Sequence, residues 1–164
     1  MHVLRTDRID HDPRRLLADD ASANCAIPAI VPLARWALWR TAGRQPHPDM
    51  GVLLQPDDDF EALLADVPRL ALIAVNFPVF TDGRGYSIAR LLRERHGFRG
   101  ELRAVGDILR DQLYFLHRCG FNAFSLRPDQ DLATALDAFG DYSWSPFPTT
   151  SPDKDRAGIE QPHL

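Results

Sequence analysis

Residues 70–75 read LALIAV, a run of six apolar residues between Pro68 and Asn76. A short run of this kind, bounded by turn-forming residues, is typical of a β-strand that is covered on both faces, as strands in parallel sheets are. The neighbouring segments, 57–67 and 88–97, instead carry apolar residues at helical spacing. A buried strand between two helices predicts a parallel α/β sheet.

The same alternation extends along the chain in both directions. Strands are predicted at 52–54, 70–75, 101–105 and 121–126, and each is followed by a segment with helical periodicity. Helices between successive strands imply a parallel sheet with right-handed crossovers, so the pattern predicts an α/β fold of about four βα units. The strands could follow one another in order, as in half of a (βα)8 barrel, or wind in both directions, as in flavodoxin. The short connections favour the barrel-like order.

Three regions are predicted from composition and pattern: an N-terminal extension at 1–50, a core of βα units at 51–140, and a Pro-rich tail at 141–164 that we expect to be disordered. The extension should contain a short strand or hairpin and a helix over 29–40 that is entered through Pro32 near its first turn. A half-barrel has open edge strands that need cover. The N-terminal helix, or a second copy of the chain in a homodimer, would supply that cover.

Composition and charge exclude several classes of protein. The formal net charge of -4 argues against general nucleic-acid binding, which needs a basic face. The N-terminus lacks the apolar segment of a secretory signal, and the longest apolar stretch, 26–39, is too short and too interrupted by prolines to span a bilayer. We therefore expect a cytoplasmic protein that does not bind membranes.

Cofactor motifs are equally scarce. The two cysteines, Cys25 and Cys119, exclude an iron–sulfur cluster held only by cysteines of this chain. The segment 83–88 has only the first two glycines of a dinucleotide-binding fingerprint, and the chain has no P-loop. No His, Cys and carboxylate residues stand at metal-ligand spacing, so no metal site is predicted. The sequence identifies no cofactor.

Candidate functional residues follow the predicted strands, because ligands in parallel α/β folds bind beyond the carboxyl ends of the strands. The carboxylates that could act there as general acids or bases are Asp82, Asp107 and Asp111. The polar side chains that could hold an anion there are Arg84, Arg110, Tyr86, Asn76 and Gln112. Helix capping alone would explain the aspartates that precede predicted helices, which are Asp57, Asp107 and Asp129.

Arg84 stands between two glycines ahead of a predicted helix, a setting in which a guanidinium and backbone N–H groups can hold an anion together. Residues 82–118 are locally basic, with eight arginines and five acidic residues. These features predict a site for a small oxyanion such as sulfite or sulfate. The alternative is that the arginines pair with Asp82, Asp107 and Asp111 in an ion network that only organises this edge of the sheet.

A longer pattern carries a family resemblance. The motifs DGRGYS (82–87), RDQL (110–113) and RCGF (118–121) occur in that order within 77–124. This succession resembles the hallmark of the bacterial family known as domain of unknown function 934. The resemblance extends over 51–139.

The resemblance implies a role in sulfur metabolism, because members of that family are commonly described as oxidoreductases of sulfite reduction. The protein would be an accessory protein of assimilatory sulfite or sulfate reduction that binds the sulfite reductase haemoprotein or a sulfur oxyanion, or it would be an oxidoreductase enzyme of the same pathway. No catalytic residues come with the family. The residues alone leave two further alternatives open: a barrel-like metal-dependent lyase or isomerase that uses the strand-end carboxylates, and a purely structural partner protein.

Overall fold

The computed structural model describes residues 2–17, 28–43 and 47–139, which form an α/β fold around one eight-stranded sheet. The strands are β1 (His2–Leu4), β2 (Ile9–His11), β3 (Arg15–Leu16), β4 (Ala29–Pro32), β5 (Met50–Leu54), β6 (Leu72–Phe77), β7 (Glu101–Gly106) and β8 (Ala123–Phe124). The α-helices are α1 (Leu33–Thr41), α2 (Arg84–Arg90), α3 (Leu113–Arg118) and α4 (Leu132–Asp137). Shorter helical turns are found at Phe60–Leu63, Val67–Arg69, Leu91–Arg95 and Arg110–Gln112.

The strand order confirms the barrel-like prediction. Strands β3 to β8 are parallel and lie side by side in the order in which they occur along the chain. The hairpin of β1 and β2 continues the sheet beyond β8, where β1 is antiparallel to β8. The four strands predicted in the core correspond to β5 to β8, and the hairpin expected in the N-terminal extension is present as β1 and β2. Strands β3 and β4 were not predicted, because they are only two and four residues long. Strands this short show no periodicity in the sequence.

The sheet curls until its two edges come together. Strands β2 and β3 stand at opposite ends of the strand order, yet only residues 12–14 separate them along the chain. Even a fully extended connection of this length spans no more than about 14 Å. The edge of β4 is therefore covered by β3 and the edge of β8 by β1, so the N-terminal residues supply the cover that a half-barrel needs.

Side chains alternate between the two faces of the curled sheet. The outer face carries the larger core, in which strand residues such as Ile73 and Phe124 pack with helix residues such as Trp36 and Leu116. The inner face carries a smaller cluster of Ile30, Leu53, Leu72, Ala74 and Val105.

Arg103 also points to the inner face, where it is fully buried, and it contacts Asp12 of the segment that closes the curled sheet. Glu101 lies on the same guanidinium, with 2.5 Å between Arg103 Nη2 and Glu101 Oε1. Glu101 in turn accepts a hydrogen bond of 2.8 Å from Arg5, which follows β1. The amino-terminal end of the curled sheet is thus filled by alternating charges that join the N-terminal strands to β7.

The N-terminal helix prediction was wrong at its beginning. Ala29–Pro32 is a strand, all four residues of which are buried, and α1 begins only at Leu33. Two β-branched residues in this stretch suit a strand, and Pro32 lacks the N–H that a helix interior needs. Trp36 then fixes α1 to the core by donating its indole N–H to Asp66 at 3.0 Å.

The capping predictions were also wrong in detail. The helical turn at Phe60–Leu63 is capped by Asp59 instead of Asp57, and α4 is capped by Asp131 instead of Asp129. Asp107 caps no helix, because it binds the loop after β6 (below). The chain reverses after α3 at Gly120, which has a φ of 111°.

One prediction falls outside the described residues, the disordered tail at 141–164. Within the described ranges, no helix is long and apolar enough to cross a membrane.

Candidate functional site

Four loops follow the carboxyl ends of β5 to β8, and together with the first helical residues after them they span 55–61, 78–86, 107–112 and 125–131. We call these four loops the carboxyl-end rim. Because the strands are parallel, the loops project from the same end of the sheet. Seven of the eight predicted site residues lie in these loops, and the eighth, Asn76, lies at the end of β6.

Arg84 lies between two carboxylates. Its Nη2 is 2.7 Å from Asp82 Oδ2 and its Nε donates to Asp82 Oδ1 at 3.0 Å, while its Nη1 contacts Asp57 from the loop after β5. These hydrogen bonds raise the pKa of Arg84, and the hydrogen bond from Arg84 lowers the pKa of Asp82. Of the two interpretations of Arg84, this geometry matches the ion network. An anion at Arg84 would have to displace a carboxylate, so the oxyanion site stays a prediction.

Asp107 ties three loops together. Its Oδ2 accepts a hydrogen bond of 3.1 Å from the backbone N–H of Phe80, and its Oδ1 accepts one of 3.1 Å from Arg127. Arg127 also donates two bonds, at 2.6 and 2.7 Å, to Asp129. The hydrogen bond to Asp129 is the main cause of the raised pKa of Arg127. Arg127 directly follows the predicted strand at 121–126, so its place at this end of the sheet agrees with the sequence pattern.

Gln112 positions the loop after β6. The Gln112 Oε1 accepts a hydrogen bond of 3.0 Å from the backbone N–H of Leu109, which caps the helical turn that contains Gln112. The Gln112 Nε2 donates to the backbone oxygen of Phe80 at 3.0 Å and to the Tyr86 hydroxyl at 3.3 Å. Burial raises the pKa of Tyr86, so its hydroxyl stays protonated at neutral pH. The Arg110 side chain turns away from Arg84, since its Nε donates to the backbone oxygen of Thr134 at 3.0 Å.

The remaining two predicted site residues, Asn76 and Asp111, differ in their contacts and exposure. Asn76 donates to Gln55 Oε1 at 2.8 Å, which joins the ends of β6 and β5. Asp111 is exposed on the first turn before α3. The structure thus pairs Asp82 with Arg84 and Gln112 with Tyr86, whereas the Arg110 side chain binds Thr134 in α4.

Three large apolar side chains are exposed around Gln112: Val79 at 51%, Phe80 at 53% and Phe115 at 57%. We call these three residues the apolar patch. The ring of Tyr86, which shares Gln112 with Phe80, lies 5.0 Å from the ring of Phe115. Sequence reasoning missed the patch, although the apolar pair at 79–80 in a loop between predicted elements was a usable signal.

The charge of the carboxyl-end rim is strongly negative. Its four loops contain nine acidic residues and three arginines. The acidic residues are Asp57, Asp58, Asp59, Glu61, Asp82, Asp107, Asp111, Asp129 and Asp131. The basic span counted along residues 82–118 therefore does not describe the rim. Arg103 lies inside the sheet, and Arg93 is buried against backbone carbonyls just before β7 and β8.

No group of three or more His, Cys, Asp or Glu side chains that could hold a metal ion occurs in the part of the chain that the structure describes. A lyase or isomerase that depends on a protein-held metal gains no support from these residues.

Comparison with known proteins identifies one family. The family model described as "Bacterial protein of unknown function (DUF934)" matches residues 51–151, more than half of the chain. The match begins in β5 and includes every loop of the carboxyl-end rim, whereas β1 to β4 precede it. No curated protein and no solved structure matches the chain significantly.

Proposed function

The chain belongs to the family described as bacterial protein of unknown function (DUF934), and on this premise we propose that it is a cytoplasmic accessory protein of assimilatory sulfite reduction that acts by binding the sulfite reductase haemoprotein. The link to sulfite comes from the way members of this family are commonly described. The mode of action, binding by way of the carboxyl-end rim, is argued from the residues there.

The observation that carries the proposal is the apolar patch. Exposed aromatic side chains that are grouped and surrounded by polar groups are typical of protein-binding surfaces, where aromatic residues supply most of the binding free energy. Phe80 is well prepared for this role, because its N–H is bound to Asp107 and its carbonyl to Gln112. A residue held in place before binding loses little conformational entropy on association.

The charged groups nearby support binding over catalysis. Arg84 keeps the pKa of Asp82 below its usual range, so Asp82 is ionised at neutral pH and is poorly suited to act as a general acid. Arg84 itself already lies on two carboxylates, and Asp107 on Arg127. Groups that hold loops together in this way present a fixed surface to a partner.

The proposal is tested by mixing the purified full chain with purified sulfite reductase haemoprotein and measuring association by sedimentation velocity and calorimetry. Phe80→Ser is expected to weaken binding roughly tenfold or more, as the loss of a central aromatic contact does. Leu38→Ser is the matched control, because Leu38 is 71% exposed on α1, outside the rim. Absence of binding by the wild type, or equal binding by Phe80→Ser, would refute the proposal.

Growth of a deletion strain tests the pathway separately. Loss of the gene is expected to slow growth on sulfate and to leave growth on cysteine unchanged, because cysteine bypasses sulfite reduction. Complementation with the wild type and with Leu38→Ser should restore growth on sulfate, whereas Phe80→Ser should not. Equal growth of the deletion strain on both sulfur sources would place the protein outside this pathway.

A further inference from the structure

Acidic residues outnumber arginines by nine to three on the carboxyl-end rim that carries the apolar patch, and this limits the surfaces that can dock there. We infer that the partner presents a basic surface, with arginine or lysine side chains around an apolar contact. This inference rests on the proposed role of the rim in binding a protein, and it adds the chemistry of the partner.

Three carboxylates border the patch. Asp107 accepts the backbone N–H of Phe80 at 3.1 Å, and Asp82 closes the turn that begins at Val79, with 3.0 Å between Asp82 N and Val79 O. Asp111 is exposed next to Gln112, the residue that holds the loop carrying Phe80. Asp111 is the exposed charge next to the patch, whereas the Asp82 and Asp107 side chains are 9% and 23% exposed and bind Arg84 and Arg127.

The arginines of the rim do not neutralise this charge. Arg84 lies between Asp57 and Asp82, and Arg127 between Asp107 and Asp129, so each arginine offsets one of its two carboxylates. The five acidic residues outside these two groups therefore outnumber the one remaining arginine, Arg110.

An acidic partner, or a second copy of this chain that docks through the same rim, would place negative charges opposite negative charges when the apolar patch makes contact. Like charges facing each other at an interface disfavour association, whereas opposite charges speed the encounter and fix its orientation. The apolar patch therefore fits a basic partner better than a symmetric contact between two copies.

The test uses the isotopically labelled full chain and two synthetic peptides, so it does not depend on the haemoprotein. One peptide alternates arginine and tryptophan, and the other replaces every arginine by glutamate. We expect only the arginine peptide to shift the amide signals of residues 79–86 and 107–115, and we expect the shifts to shrink as salt is added. Asp111→Lys should weaken this peptide about threefold, within the range for an exposed charge pair.

Asp7→Lys is the matched control, because it makes the same charge change at an exposed site in the turn between β1 and β2, at the other end of the sheet. It should bind the arginine peptide as the wild type does. Equal shifts with both peptides, stronger shifts with the glutamate peptide, or no shifts at the rim at millimolar peptide would overturn the inference. Failure of the haemoprotein to bind would refute the proposed function and leave the peptide result standing.

Discussion

The substitution Asp12→Ala should destabilise the fold strongly, although Asp12 precedes the segment that the family model matches. Asp12 lies in the connection that brings the two edges of the sheet together, and its side chain is 6% exposed. It contacts Arg103, which is fully buried in the middle of β7. Among the described residues, removing this carboxylate leaves Glu101 as the one counter-charge on a guanidinium inside the sheet.

The size of the effect follows from this burial. Removing one partner of a buried ion pair typically lowers the free energy of unfolding by about 3–5 kcal/mol. Because Arg103 keeps its contact with Glu101, we expect a loss at the lower end of this range, about 3 kcal/mol. For a chain of this size, such a loss lowers the melting temperature by about 6–12 °C. Thermal and urea unfolding of the full chain, followed by circular dichroism, measure both quantities.

Two further variants serve as controls for this prediction. Asp10→Ala also removes a carboxylate that binds arginines, but Asp10 is one third exposed, so its loss should be much smaller. The double variant Asp12→Ala/Arg103→Met should be more stable than Asp12→Ala alone, because it no longer buries an unbalanced charge. Similar losses for Asp12→Ala and Asp10→Ala would refute the view that Asp12 closes the sheet through Arg103.

Three further predictions concern the rim and the cofactor question. Because Arg84 lowers the pKa of Asp82, the ionised carboxylate stabilises the fold above about pH 4, and this stabilisation is lost as the pH falls through the lowered pKa. Asp82→Asn should therefore lose less stability than the wild type on acidification. Unfolding at several pH values measures the difference. Gly106→Ala should unfold at a clearly lower temperature than Gly43→Ala. Both glycines have a positive φ, but the Cβ added at Gly106 would lie 2.4 Å from the backbone oxygen of Phe77, whereas the Cβ added at Gly43 would meet no atom within 4 Å. Equal melting temperatures of the two variants would contradict this packing. The purified protein should show no visible absorption band and no stoichiometric metal; a flavin or haem spectrum would instead support an oxidoreductase, and bound magnesium or manganese a lyase.

The alternation of strands and helical segments predicted the parallel sheet, and the short connections between them favoured the barrel-like strand order. Strands β3 and β4 could not be predicted, for a physical reason. Strand β3 has two residues, and the strand at Ala29–Pro32 runs directly into α1, so neither shows a period of its own. They become strands only because the neighbouring strands offer unpaired backbone groups, which is a tertiary effect.

The position of the candidate site could also be predicted, but the ion pairs within it could not. Parallel topology alone places the loops after β6 and β7 at one end of the sheet. The pairs that form there join residues 20 or 27 positions apart, as in Asp107 with Arg127 and Asp57 with Arg84. Charge counted along residues 82–118 gave the wrong sign for the rim, because six of the nine acidic residues of the rim lie in the loops after β5 and β8, outside that span.

Site-specific photocrosslinking in cells growing on sulfate tests the central claim most directly, that the carboxyl-end rim binds the sulfite reductase haemoprotein. A photoreactive phenylalanine analogue replaces Phe80 in one strain and Leu38 in another, two apolar residues that are both exposed. The account predicts a crosslinked product that contains the haemoprotein from position 80, identified by mass spectrometry, and none from position 38. A haemoprotein product of equal yield from both positions, or none from position 80 while the folded protein is present, would contradict it.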